Sequence, residues 1–167
     1  MMTTGRVGAM VTVAAIGVGA SSLTSGSVAA DAPVASAEVS GASVTSGEVT
    51  AFAAGAGLDI SGHARMVRTG DGKTLVSIHV KGLQPNTTYG SHVHASPCTV
   101  GEADGHYKFD PAGSAEPPNE IWLGPFTTNP AGVGNAHTRA DATAGPTAVS
   151  VVVHAPDGSK IACSDLG

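Results

Sequence analysis

Residues 58–83 read "LDISGHARMVRTGDGKTLVSIHVKGL", and their alternation decides the fold class. In the second half, Val76, Ile78 and Val80 take one face while Ser77, His79 and Lys81 take the other. The cause is that side chains along a strand point alternately to its two sides. The first half runs the same way, with Ile60, Ala64 and Met66 towards a core and His63 outward. Between the halves, "TGDGK" carries the residues of a tight turn. The stretch is therefore a β-hairpin. Pairing Arg68 with Thr74 sets His63 directly opposite His79. Two imidazoles so placed suit either a weakly held metal or a pair of solvated side chains.

The same grammar continues outward. A turn at Pro85-Asn86, which also begins a glycosylation sequon (Asn86-Thr87-Thr88), leads into the strand "TYGSHVH" (88–94). "EIWLGPFTT" (120–128), "GNAHTRADA" (134–142), "TAVSVVVHA" (147–155) and "IACSDLG" (161–167) read as further strands, of which "TAVSVVVHA" is the most deeply buried. Residues 96–120 hold four prolines and three glycines and read as a loop. No long amphipathic helix is visible. Short strands at frequent turns predict an all-β sandwich or barrel. No phosphate-binding loop, dinucleotide fingerprint, nucleophile elbow or HExxH motif is present.

The chain of 167 residues divides by composition. Residues 1–30 carry Arg6, an apolar run from Val7 to Ala20, and Val28-Ala29-Ala30, and so read as a secretory signal peptide. The apolar run is shorter than the roughly 20 residues a membrane span needs. Residues 31–55 read as a flexible low-complexity linker, with a strand near Val44–Phe52. Residues 56–167 are the folded domain. Loss of Arg6 on cleavage takes the formal charge from −5 to −6, which disfavours nucleic acid or an anionic membrane as partner. Cys98 and Cys163 are the only cysteines. In an exported chain they are most simply a disulfide; a thiolate metal site would need them reduced.

His92 and His94 lie two apart on one strand, so both face one side, about 6.5–7 Å apart along it. Val93 points the other way, into the core with Tyr89 and Ser91. His106 ends the loop that leaves this strand. His154 ends the buried strand, on the side of Val152. Imidazole sets suit copper or zinc, and copper binds the tighter.

"GSHVHASPC", "GH" followed by "FDP", "SVVVHAPDG" and "KIACSDL", in this order, resemble the copper/zinc superoxide dismutases over about residues 58–167. The resemblance implies a Greek-key β-barrel with its metal outside the barrel, beneath loops. His92, His94 and His154 resemble copper ligands. His106 resembles the histidine that bridges copper and zinc, and Cys98 and Cys163 the family's disulfide. The later zinc ligands have no counterpart, since Asn129 and Gly132 of "NPAGVGN" stand in their place. A zinc site needs about four ligands, so none of the family type is expected. The chain looks like the copper-only branch. "APDGSKIA" replaces the family's long charged loop and implies a more open site. Lys160 stands where the family has an anion-binding arginine. Glu120 is the candidate to hold the second nitrogen of His106 in place of zinc, with Asp110 and Glu116 behind it.

The implied function is that of a secreted copper superoxide dismutase. It would convert superoxide to oxygen and hydrogen peroxide, with His106 and Lys160 in catalytic roles. The alternatives are a copper-binding or copper-delivery domain with little turnover, and an envelope domain that keeps the barrel without the metal.

Overall fold

A computed structural model describes residues 41–167. The expected signal peptide and residues 31–40 of the expected linker lie outside the described residues. Among the described residues there are nine strands: β1 (Ser43–Glu48), β2 (Thr50–Ala51), β3 (Ser61–Arg68), β4 (Thr74–Lys81), β5 (Thr88–His94), β6 (Phe126–Thr127), β7 (Gly134–Ala140), β8 (Ser150–His154) and β9 (Lys160–Asp165). A 3₁₀ turn covers Ala53–Gly55. The strands form two antiparallel sheets, ordered β1-β3-β4-β7 and β2-β9-β8-β5-β6.

The hairpin takes the register that alternation predicts, with Arg68 opposite Thr74 and His63 opposite His79. Ala64, Met66, Val76, Ile78 and Val80 are buried between the sheets. From the five-stranded sheet, Tyr89, Val93, Val151, Val153 and Ile161 meet them. Burying a side chain of this size is worth roughly 1.5–3 kcal/mol, so this one core is the main source of stability.

The strand expected near Val44–Phe52 is present as β1 and β2, so this part of the segment read as linker is paired rather than free. Ser43–Glu48 pairs along its whole length with β3. After Val49 the chain changes sheets, and Thr50–Ala51 pairs with β9. The small residues that suggested a linker serve the crossing. A Cβ on Gly47 would run into the backbone oxygen of Asp165, so a larger residue would push β1 away from β9. Val49 and Gly55 are the buried residues of this segment.

The segment 120–128 also differs from expectation, because only Phe126–Thr127 is regular strand. Upstream of it the chain still runs beside β5, bonded through Val93 N to Ile121 O (3.0 Å) and Leu123 N to Ser91 O (2.8 Å). The loop's other end does the same, with Tyr107 N donating to Val93 O (2.9 Å). Single bridges pair His92 with Trp122 and His94 with His106. Both ends of the long loop thus complete the free side of β5. That pairing brings His106 beside the β5 histidines.

Candidate metal centre

The outer face of the five-stranded sheet carries the site. Register places Gly90, His92 and His94 of β5 opposite His154, Val152 and Ser150 of β8. Directly opposite residues in an antiparallel pair share a face. The inner positions Ser91, Val93, Val151 and Val153 are buried in the core. One imidazole from each of His92, His94, His106 and His154 thus projects to the same side. Their candidate ligand atoms all lie within 4.8 Å of one another. This histidine-rich group could hold a metal ion.

The hydrogen bonds decide which nitrogen each ring offers. His94 Nδ1 faces the carbonyls of Ala103 (3.1 Å) and Asp104 (3.2 Å). Carbonyls only accept, so Nδ1 carries the proton and Nε2 keeps its lone pair. His154 Nδ1 donates to Gly158 O (3.3 Å). His106 Nδ1 donates to Glu120 Oε2 (2.7 Å). All three therefore turn a bare Nε2 away from the anchoring bond. His92 is the exception, since its Nδ1 is buried without a partner.

Two features of the donor set fit a bound cation. His94 Nε2 and His154 Nε2 stand 3.3 Å apart with no proton assigned to either. Facing lone pairs repel unless a positive centre lies between them. The orphaned His92 Nδ1 is a buried polar atom that a metal would satisfy. An all-imidazole set suits copper or zinc.

Burial favours the neutral form of three of the rings, His92, His94 and His154. Burial pushes the His92 imidazole down to about 3 and that of His94 to about 4, with neighbouring His106 adding to both. Burial lowers His154 as well. Neutral imidazole is the metal-binding form.

Glu120 anchors His106 from below. It is almost fully buried, at 4% exposure. Its Oε2 accepts from both His106 Nδ1 and Trp122 Nε1, each at 2.7 Å. Burial alone would raise its pKa, but the bonds from Trp122 and His106 hold it below the usual carboxylate range. Asp110 and Glu116, the other acids considered for this role, are exposed. Asp110 Oδ1 caps its own turn at Ala112 N. Asn129 Oδ1 accepts from Ala131 N and Val133 N, which closes a turn, and His137 lies on the other sheet opposite Ser77.

The loop above the site is pinned. Cys98 and Cys163 are bonded, and Cys98 N donates to Asp165 Oδ1 (2.8 Å). Such a disulfide is compatible with an extracellular location. It packs with Ala103 and Val152 in a small second cluster. Next to it, Gly101, Glu102, Ala103 and Asp104 all have left-handed φ, at 55°, 52°, 66° and 43°. Three of these are not glycine, and each costs roughly 1–2 kcal/mol there. The turn aims successive carbonyls inward. Those of Ala103 and Asp104 hold His94, and those of Glu102 and Asp104 accept from Lys160 Nζ at 3.0 and 2.7 Å. Lys160 is thus tied over the turn rather than extended into solvent.

The left-handed turn and Trp122 are the parts that sequence reading missed. Glu102 and Ala103 carry no signal for a left-handed backbone. Trp122 could have been found from its spacing, two residues after Glu120 on an extended segment and therefore on the same face. No protein-family description and no curated protein matches the chain.

Proposed function

We propose that this chain is a copper-dependent superoxide dismutase of the copper-only kind, built on a closed Greek-key barrel. The observation that carries the proposal is His106. Its Nε2 side joins three other imidazoles, and its Nδ1 is held by a buried carboxylate where a second metal would otherwise bind. The ordered motifs around His92, His106, His154 and Cys163 support the same reading. The crossing of β1 into β2 between the sheets supports closure of the barrel.

His92 would bind through Nδ1, and His94, His106 and His154 through Nε2. Copper held there would supply one-electron redox chemistry, taking an electron from one superoxide and giving it to another. The net reaction consumes two superoxides and two protons and yields oxygen and hydrogen peroxide. The protein's part is to position groups and move protons. Glu120 fixes the ring and tautomer of His106, so Nε2 is the atom that can take up a proton and pass it to the peroxide. Lys160 places a positive charge beside His94 and His154, against an acidic protein. A pocket of about 300 Å³ borders His106, with Lys108 on its wall, and gives a small anion a second cationic approach.

The test is superoxide decay after loading the exported domain with one equivalent of copper. Accelerated decay that is lost in His106→Ala supports the proposal, and decay no faster than with copper-free protein refutes it. A second reading, copper delivery, is favoured by the partial exposure of His92, His106 and His154, which another protein could reach. Rapid transfer of the copper to an acceptor with negligible dismutation would select it.

A further inference from the structure

The chain has seven histidines, and the centre above uses four. The other three, His63, His79 and His137, all lie on the outer face of the four-stranded sheet. Register draws one straight row across all four strands: Glu48 of β1, His63 of β3, His79 of β4 and Asn135 of β7. His63 and His79 are directly opposed, with ring centres 5.6 Å apart. His137 stands on β7 opposite Ser77, one row along.

We propose that His63 and His79 form a second, solvent-facing site for a divalent transition metal, Cu(II) in preference to Zn(II). Two nitrogens sharing one such ion stand at most about 4 Å apart, at about 2 Å each from it. With the ring centres 5.6 Å apart, rotation of the His63 side chain would bring its nearer nitrogen to that distance. The His79 ring is already oriented, since its Nδ1 donates to Asn135 Oδ1 at 2.7 Å. That bond leaves Nε2 as the free donor, and such an outer partner is what a metal-bound histidine ordinarily has. Glu48 adds negative charge on the neighbouring strand. Water completes the coordination, so the site is open and its ion exchanges readily. The preference for copper follows the general order of divalent affinities for nitrogen donors.

The experiment is a calorimetric titration of Cu(II), and separately Zn(II), into protein whose four-histidine centre already holds one copper. A second equivalent is expected, and His63→Ala and His79→Ala should each abolish it or weaken it at least tenfold. Asn135→Ala should weaken it by about tenfold, the lower end of the effect of losing such a partner. His137→Ala should leave it unchanged. Imidazole resonances of His63 and His79, shifted or broadened only by the second equivalent, give an independent readout. No second equivalent at millimolar metal overturns the proposal, as does one that survives the His63→Ala/His79→Ala double variant or is lost in His137→Ala. None of these outcomes depends on dismutase activity.

Discussion

Replacing Glu120 separates two things that its carboxylate does. Oε2 accepts two bonds at 2.7 Å, from His106 and from Trp122. Glu120→Gln can put its amide oxygen in the same place and keep both bonds, but it loses the charge. Charge-assisted hydrogen bonds are about twice as strong as neutral ones, so two weakened bonds cost about 1–2 kcal/mol. Glu120→Ala removes the acceptor and leaves two donors unpaired, for about 2–6 kcal/mol at about 1–3 kcal/mol each. Part of the cost appears as metal affinity, because His106 loses its orientation. Losing an outer partner of this kind typically weakens a metal site 10- to 100-fold. We expect Glu120→Gln near the lower figure and Glu120→Ala near the upper. Competition titration with Cu(II) reads this directly, through quenching of Trp122, the chain's one tryptophan, whose ring lies 5.1 Å from that of His92. Both variants binding copper within twofold of the parent would refute the role given to Glu120.

Four further outcomes follow. Burial holds His92 at about 3 and His94 at about 4, below the ordinary 6.5. As pH falls the unfolded chain takes up these protons first, so the metal-free protein is fully stabilised above about 6.5 and loses stability steadily down to about 3. Urea midpoints that stay flat or rise between pH 7 and 5 would contradict this. Replacing Cys98 and Cys163 with serine opens a link between residues 65 apart and should cost about 4 kcal/mol by chain entropy, measurable as a fall in the urea midpoint. Lys160→Met should slow superoxide decay by about tenfold at low salt and flatten its salt dependence, the lower end of what a focused charge supplies. Ser91 Oγ is buried in the core with no partner, so Ser91→Ala should raise stability by about 1 kcal/mol, seen as a higher melting temperature.

The hairpin and β5 were legible because period-2 alternation acts on each strand alone. Ile78 and His79 must face opposite ways whatever the rest of the chain does. The His92–His94 pair was legible for the same reason. The edge segment Ser43–Ala51 was legible only as a strand near Val44–Phe52, not as part of the sheets, because nearly all its side chains are small and exposed. Its strand form comes from pairing with β3 and β9, which local sequence does not carry. The left-handed turn at Gly101–Asp104 was hidden for a related reason. Its strain is balanced by contacts far along the chain, with Lys160 and the Cys163 disulfide. Glu120 was reachable from chemistry, since a ligating histidine needs a partner for its second nitrogen. That Trp122 shares the same oxygen required the folded arrangement.

In the proposed centre, four imidazoles and no other side chains take one copper ion. Electron paramagnetic resonance of protein carrying a single equivalent of Cu(II) measures the donors directly. One species with four nitrogen donors is expected, losing a nitrogen in each of His92→Ala, His94→Ala, His106→Ala and His154→Ala. A spectrum with two nitrogen and two oxygen donors that is unchanged by His106→Ala would contradict it.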